Sequence, residues 1–179
     1  MEITVKEDKG QVFGVFEDTE LMIRLRKEFR ILPRAVGTLP HSLQNKILGP
    51  PFLLNAYQVQ YLKELGLVHS EVEVNTEKYQ VFKHFTERKF ILKDGAKFGC
   101  DFLAYPGDPL YCHASKMIIV QKELHVLKLV QLGRISNDTN KELVLSFTRN
   151  GEVVVKQLTW VNTGARYCLC RERKVQRVG

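Results

Sequence analysis

The feature that most constrains the fold of this chain is a short turn between two long apolar runs near its C-terminal end. Asn150-Gly151 follows Arg149 and separates the alternating segments 142–148 and 152–161. An Asn-Gly pair in this position favours a two-residue turn with positive φ at both residues, which matches the twist of paired strands. The sequence therefore predicts a long antiparallel hairpin, and the fold must contain a sheet around it.

The stretch before this hairpin predicts the rest of that sheet. Asn75 is a suitable N-cap for a helix that runs to about residue 88. Three short β-rich runs follow it, and then a second helix with apolar residues at helical spacing, from about 123 to 133. The three strands are expected at 90–93, 98–105 and 114–120. The order α-β-β-β-α-β-β indicates a mixed α/β domain.

The first seventy or so residues predict a smaller unit. Two alternating segments, 3–5 and 12–16, lie on either side of Gly10 and predict a hairpin. A helix capped by Asp18 or Thr19 is expected to reach about residue 29. The remaining elements are a loop-rich stretch with at most short strands, a helix over 56–65 that ends at Gly66, and a short strand over 67–74.

The return from loop-rich to periodic sequence near residues 70–75 predicts a domain boundary. We expect an α/β fold of the mixed α+β kind, with a small N-terminal α/β domain over 1–72. A second domain over 73–165 has a mixed sheet flanked by helices, and a basic tail covers 166–179. The tail is interpreted as a solvated end, an RNA or partner contact, or a C-terminal strand. At 179 residues, the chain can bury a core without metals or disulfides.

Charge narrows the choice of partners. The chain carries 27 Lys and Arg against 20 Asp and Glu, a net charge of +7. A surplus of this size favours polyanions such as nucleic acid, because neutralising phosphates releases condensed counterions. The charged N-terminus does not resemble a secretory signal, and no apolar run is long enough to span a membrane. We expect a soluble intracellular protein with no membrane segment.

Missing motifs exclude several kinds of active site. The sequence has no G-x-x-x-x-G-K-[ST] phosphate loop, no G-x-S-x-G elbow, no H-E-x-x-H, and no carboxylate cluster suited to two metal ions. Its four cysteines do not have the spacing of a zinc site and are expected to be free thiols. They are Cys100, Cys112, Cys168 and Cys170. We therefore expect neither a metal site nor a cofactor.

One segment, from Lys97 to His113, is dense in reactive side chains and reads KFGCDFLAYPGDPLYCH. A predicted strand runs into a Pro-Gly-Asp-Pro turn, in which Asp108 is expected to accept from nearby backbone N–H groups. Tyr105 and His113 flank this turn, and Lys141 opens a later strand. Such a set could cleave RNA without metal: one group takes the 2′-OH proton, one protonates the leaving 5′-oxygen, and a cation stabilises the phosphorane. From spacing alone, packing and hydrogen-bonding roles are the more common interpretation of a Tyr and a His around a turn.

The same segment resembles the signature of the tRNA-splicing (tRNA-intron) endonucleases. The Tyr-Pro-Gly-Asp-Pro-Leu form at 105–110 is most similar to the eukaryotic catalytic subunit that cuts the 3′ splice site. Gly133-Arg134, Lys141 and Gln157-Leu-Thr-Trp160 are similar to the C-terminal pattern of that subunit. The strong similarity covers about residues 89–160. Weaker similarity to the N-terminal domain of the subunit lies at 36–40, 44–45 and 48–54.

The resemblance implies a role for each of five residues. Tyr105 would be the general base towards the 2′-OH, and His113 the general acid to the leaving 5′-oxygen. Lys141 would stabilise the pentacovalent transition state, giving 2′,3′-cyclic phosphate and 5′-hydroxyl ends without a metal. Arg134 and Trp160 would clamp a flipped base by cation–π stacking, at the site of the opposite catalytic subunit. Because a free tyrosine has a pKa of about 10, an orienting role for Tyr105 stays open.

The resemblance also implies partners. They are intron-containing pre-tRNA and the other subunits of a heterotetrameric endonuclease, in the nucleus or, alternatively, at the mitochondrial surface. Two other hypotheses remain: a non-catalytic RNA-binding or structural subunit of the same complex, and an archaeal-type homo-oligomer that cuts both sites. The presence of Tyr105, His113 and Lys141 argues against the first. The Tyr-Pro-Gly-Asp-Pro-Leu form argues against the second.

Overall fold

The computed structural model describes residues 3–36, 49–159 and 171–173. Within these ranges the chain forms two sheets, each accompanied by two helices. The elements associated with the first sheet are β1 (Thr4–Asp8), β2 (Gln11–Phe16), α1 (Thr19–Glu28), β3 (Arg34–Ala35), β4 (Phe52–Asn55) and α2 (Ala56–Glu64). Those associated with the second are α3 (Thr76–Glu87), β5 (Ile91–Asp94), β6 (Phe102–Tyr105), β7 (Lys116–Val120), α4 (Val126–Asp138), β8 (Glu142–Arg149), β9 (Glu152–Thr159) and β10 (Arg171–Arg173).

The first sheet is antiparallel, in the order β1-β2-β4-β3. Its opening hairpin turns at Lys9 and Gly10, whose φ values of 50° and 75° suit a two-residue turn, so the predicted hairpin is confirmed. In the described part of the loop-rich stretch, the strands are the short β3 and β4, which agrees with the prediction; residues 37–48 lie outside the described residues. α1 and α2 complete a core that includes the fully buried Leu25, Leu54 and Leu62.

The second sheet has the order β10-β9-β8-β7-β6-β5. All neighbours are antiparallel except β7 and β8, which α4 connects as a crossover. Asn150 and Gly151 have φ values of 53° and 80°, and Arg149 pairs with Glu152, which confirms the predicted hairpin. β10 pairs with β9, so this part of the tail is a C-terminal strand.

Both faces of the second sheet are covered. Phe82 and Phe85 of α3 pack on one face, against Ala104, Ile118 and Val144. On the other face, Leu132 of α4 packs against a separate buried set: Leu103, Met117, Ile119, Leu143 and Leu145. Because strand side chains alternate between the two faces, the central strands contain continuous apolar runs, 117–120 in β7 and 143–145 in β8. The mixed α+β fold class is therefore confirmed.

Three predicted helix starts are confirmed by side-chain caps. Asp18 accepts from the backbone N–H groups of Glu20 and Leu21, and Asn75 from that of Lys78. At α2, Asn55 and Gln58 bond reciprocally in a capping box.

The predicted strand over 67–74 is wrong, because this segment is not strand and pairs with no strand of the described sheets. Its alternating pattern has another origin. Val68 and Val72 pack on the first core, and Val74 packs on the second, while Glu71 and Glu73 between them are exposed. The alternation therefore records an extended connection that contacts two cores.

Two element boundaries also differ from the expectation. α4 begins at Val126 and continues through the buried Gly133 to Asp138, because its buried face extends as far as Ser136. β6 begins only at Phe102, since the residues before it form a 3₁₀ turn over Ala96–Phe98. That turn ends at Gly99, which has a left-handed φ of 72°.

Aromatic side chains join the two units. The ring of Phe82 on α3 stacks on Tyr57 of α2 at 6.1 Å between centroids and meets the edge of Tyr61 at 6.4 Å. It also lies 6.0 Å from the ring of Phe102 on β6. An ion pair between Lys83 and Glu64 lies beside this cluster, at 2.7 Å. No helix in the described part of the chain is long and apolar enough to cross a membrane.

We predict that Phe82→Ala lowers the free energy of unfolding by about 3–5 kcal/mol, the usual range for removing a buried aromatic ring. The ring is 2% exposed and bridges both units, so a cavity would open where they meet. Urea unfolding followed by circular dichroism measures the effect. Leu127→Ala is the control, since this side chain is 74% exposed; equal losses in the two variants would contradict the prediction.

Candidate active site

The candidate site lies at one edge of the second sheet. β6 is antiparallel to β7, and β7 is parallel to β8, so the end of β6 meets the starts of both other strands. In register, Lys116 pairs with Ala104 on one side and with Glu142 on the other. Tyr105 directly follows this row, Lys141 directly precedes it, and His113 lies three residues before Lys116.

Backbone hydrogen bonds around Ser115 close the edge. Its N–H donates to the carbonyl of Ala104 at 2.9 Å, and its carbonyl accepts from the N–H of Glu142 at 2.8 Å. Tyr105 is the residue after Ala104, Lys141 precedes Glu142, and His113 lies two residues before Ser115. The fold therefore brings the backbones of the three predicted catalytic residues to one edge.

Tyr105 is half-buried at the end of β6, opposite Ile91 of β5. It packs with the core on the α4 face of the sheet. Burial raises the pKa of Tyr105 above its ordinary value of about 10, and the charge of the neighbouring Cys112 raises it further by a smaller amount. The phenol is consequently protonated near neutral pH in the free protein.

Lys141 reaches the start of β8 from the end of α4. Its backbone N–H donates to the carbonyl of Ser136 at 2.8 Å, which ties the helix to the strand. Its ammonium donates to the carbonyl of Thr139 at 3.0 Å and lies 5.3 Å from the centre of the Phe98 ring. Phe98 belongs to the α4 face of the sheet, as Tyr105 does, so Lys141 and Tyr105 share that face.

His113 is exposed, and its imidazole makes no hydrogen bond or ion pair with any residue in the described ranges. Its position is set by the chain on either side. Ala114 is buried after it, and the preceding loop over 106–112 is held by Asp108.

Asp108 organises that loop, as the sequence predicted. Its carboxylate accepts from the N–H of Leu110 at 2.9 Å, and its carbonyl accepts from the N–H groups of Tyr111 and Cys112 at 2.9 and 3.0 Å. The thiol of Cys112 also donates to that carbonyl, at 3.3 Å. The turn is therefore closed by one residue.

Sequence analysis missed the partner of Asp108. Arg26 of α1 forms a two-fold ion pair with it, from Nε to Oδ2 and from Nη2 to Oδ1. Although burial raises the pKa of Asp108, the hydrogen bonds from Arg26 and Leu110 outweigh it and hold the pKa below its ordinary value. Because 82 residues separate the pair, no local pattern could have revealed it.

Lys93 of β5 is a second residue that was missed. Its ammonium lies 5.9 Å from the centre of the Tyr105 ring. Partial desolvation lowers the pKa of Lys93, as do positive charges from both units: Arg26, Arg34 and Lys97. The surroundings of Tyr105 are thus electropositive, which suits an anionic substrate.

Of the two residues expected to clamp a base, one is described. Arg134 is exposed on α4, two residues before Ser136, and has no ion-pair partner in the described part of the chain. Trp160 lies outside the described residues. The chain leaves β9 at Thr159, beside the start of β8, where Leu158 pairs with Leu143.

Cys100 and Cys112 are free thiols, and burial raises the pKa of Cys100 to about 11. Cys168 and Cys170 lie outside the described residues. Within the described ranges, no three histidine, cysteine or acidic side chains are grouped so that they could hold a metal ion.

Comparison with known proteins gives two family matches. Residues 75–155 match the family model described as tRNA intron endonuclease, catalytic C-terminal domain. Residues 1–71 match the one described as TSEN34-like, N-terminal domain. The two stretches meet at the connection between the two sheets.

Individual relatives agree with these matches. The chain is 35% identical over 89 residues to the tRNA-splicing endonuclease subunit Sen34 of Mus musculus. The aligned region covers 48% of this chain and 28% of the relative. The Homo sapiens protein of the same name is 35% identical over 89 residues, covering 48% and 29%. The tRNA-splicing endonuclease of Sulfolobus acidocaldarius is 31% identical over 88 residues, covering 46% and 49%. The matches thus span less than a third of the mammalian relatives.

We predict that Asp108→Asn lowers the free energy of unfolding at pH 7 by about 1.5–3 kcal/mol, the range for hydrogen bonds to charged groups. Because folding lowers the pKa of Asp108, the stability that its carboxylate contributes to the folded state is complete above the ordinary carboxyl pKa of about 3.9. It is lost as the pH falls through the still lower folded value. Urea unfolding of wild type and variant between pH 7 and pH 3 measures the difference.

The difference between the two proteins should therefore shrink steadily at acid pH. Asp138→Asn is the control at pH 7, since Asp138 is exposed and forms no ion pair with a described residue. A wild-type advantage that stays constant down to pH 3 would contradict the assignment of the effect to the Asp108 carboxylate.

Proposed function

Because this chain belongs to the tRNA intron endonuclease family, we propose that it is the catalytic subunit that cleaves pre-tRNA at the 3′ splice site. The observation that carries the proposal is the convergence of Tyr105, His113 and Lys141 on one edge of a rigid sheet. The TSEN34-like match over 1–71 supports the choice of subunit.

The proposed reaction is a transesterification within the RNA. The 2′-oxygen of the nucleotide before the cut attacks the adjacent phosphorus, and the bond from phosphorus to the 5′-oxygen breaks. The 2′-hydroxyl proton leaves towards Tyr105, and His113 supplies a proton to the departing 5′-oxygen. Lys141 stabilises the negative charge of the pentacovalent transition state. The products are a 2′,3′-cyclic phosphate and a 5′-hydroxyl.

The state of Tyr105 limits how it acts. Because its pKa is raised, fewer than about one phenol in a thousand is ionised at pH 7. Tyr105 therefore rests as a neutral phenol, which orients the 2′-hydroxyl but has no free site for its proton. It takes that proton only in the small fraction of molecules in which its own proton has first left to solvent and the side chain is a phenolate. The nearby ammonium of Lys93 favours negative charge that develops there.

Two alternatives make different predictions. A structural subunit of the same complex would not need a tyrosine, a histidine and a lysine at one sheet edge. An archaeal-type homo-oligomer would cut both splice sites with one kind of chain, and the similarity to the enzyme of Sulfolobus acidocaldarius keeps this alternative open. The TSEN34-like N-terminal match favours the subunit of a mixed assembly.

The proposed partners follow from the same argument. They are intron-containing pre-tRNA, favoured by the net charge of +7, and the other subunits of a heterotetramer. The proposal also includes three domain limits: 1–72, 73–165 and 166–179. It includes nuclear localisation, with the mitochondrial surface as the alternative. Imaging of the tagged protein in its own cells tests the localisation.

We predict that His113→Ala slows cleavage at the 3′ splice site by about 10²–10⁴-fold, the usual contribution of one general acid. The measurement is single-turnover cleavage of an intron-containing pre-tRNA in EDTA by the assembled complex. The chemistry of the ends is read at each splice site, and wild type should leave cyclic phosphate.

His69→Ala is the matched control, since this histidine is exposed in the connection between the two units. Loss of both cuts in a correctly assembled His113→Ala complex would favour the homo-oligomer. Survival of both cuts at the wild-type rate would mean that this chain is a structural subunit.

For the proposed base clamp, we predict that Arg134→Ala and Trp160→Ala weaken use of the opposite, 5′ splice site. Stacking of one base on such a platform contributes about 1–3 kcal/mol, or roughly 5- to 150-fold in KM. Separate rates for the two cuts provide the measurement. Lys128→Ala removes a charge from the same helix and is the control; equal slowing in all three variants would exclude a specific clamp.

A further inference from the structure

The ion pair between Arg26 and Asp108 links the first unit to the loop that carries His113. The guanidinium meets both carboxylate oxygens, and the side chains are only 11% and 25% exposed. A two-fold pair of this kind fixes direction as well as distance, because the planar guanidinium matches the plane of the carboxylate. The contact therefore restrains the orientation of Asp108.

The orientation of Asp108 sets the path of the loop. One oxygen, Oδ1, accepts both from Arg26 and from the N–H of Leu110. The carbonyl of the same residue accepts from the N–H groups of Tyr111 and Cys112. These bonds extend to the residue immediately before His113, so a change in Asp108 is passed along a closed turn to the imidazole.

His113 has no anchor of its own among the described residues. Within the described ranges, its position is set by this turn on one side and by the buried Ala114 on the other. Catalysis is sensitive to such tethers, since a displacement of about 1 Å in a reacting group can slow a reaction about 10²-fold.

We propose that Arg26 is a positioning residue for the cleavage reaction, acting through Asp108 to hold the His113 imidazole at the leaving 5′-oxygen. This inference rests on the proposed function. It gives the first unit a part in the chemical step, in addition to any contact with RNA, because Arg26 acts through Asp108 and the turn that it closes.

The geometry specifies which substitutions matter. Arg26→Lys keeps the charge but loses the second arm of the pair, so it should slow the 3′ cut about 10-fold. Arg26→Ala and Asp108→Asn should slow it about 10- to 100-fold, with KM changed less than twofold. Asp108→Asn keeps an oxygen that can accept from Leu110, so it tests the ion pair in a loop that remains folded.

Arg24 supplies the matched control. It lies on the same helix and also forms an ion pair, with Glu28 at 2.9 Å, but both partners are about half exposed. Arg24→Ala therefore removes the same type of residue and the same charge without touching the loop, and its 3′ rate should stay within twofold of wild type.

The decisive substrate is a pre-tRNA in which sulfur replaces the bridging 5′-oxygen at the 3′ splice site. A thiolate leaves without protonation, since a thiol has a pKa of about 8.5. The proposal requires that Arg26→Ala, Asp108→Asn and His113→Ala all regain most of the wild-type rate on this substrate. Lys141→Ala, which affects the phosphorane, should remain slow on both substrates.

The outcomes separate the two proposals. If His113→Ala is inactive on the normal substrate while Arg26→Ala and Asp108→Asn cleave within twofold of wild type, the positioning role is wrong and the proposed function stands. If the Arg26 and Asp108 variants are equally slow on both substrates, Arg26 acts through general structure, which also overturns the inference. If His113→Ala cleaves normally, the proposed function itself fails. Assembly of each complex is checked by native mass measurement before the assay.

Discussion

The geometry of the candidate site depends on the two backbone hydrogen bonds of Ser115, which tie the end of β6 and the start of β8 to the segment that leads into β7. Three stretches that are distant in sequence end at the same level because of them. Backbone bonds in the interior of a sheet do not depend on any side chain, so this level is insensitive to substitution at the site. A substitution at Tyr105, His113 or Lys141 can therefore change the chemistry of the side chain while the distances between the three backbones stay the same.

Burial on both faces of the sheet makes that arrangement rigid. The central strands carry apolar side chains towards α3 and towards α4, and neither face can slip without exposing one of the two cores. The polar residues of the site are consequently restricted to the strand ends, where the chain leaves the cores. A site at the edge of a doubly covered sheet combines fixed backbones with solvent-accessible side chains.

Local signals predicted much of this fold. The Asn150-Gly151 turn and the caps at Asp18 and Asn75 are encoded by a few adjacent residues, and the structure has them as expected. The segment 67–74 shows the limit of such signals, because alternation reports alternate burial and not strand pairing. The three candidate catalytic residues were predicted from the sequence, because each lies beside a predicted strand end and matches the endonuclease signature. Arg26 and Lys93 were not predicted, since their contacts with Asp108 and Tyr105 form only when distant elements pack.

The bond from the Lys141 N–H to the carbonyl of Ser136 has a consequence for how such a chain can vary in length. It makes the end of α4 and the start of β8 one stiff piece, so an insertion between them would displace Lys141 from the edge. Residues 122–125, ahead of α4, are mostly exposed, and among the described residues no backbone hydrogen bond ties them to the sheet. Natural additions or losses of residues in this crossover should therefore collect before the helix, and the spacing from Arg134 to Lys141 should be kept in chains that differ widely elsewhere.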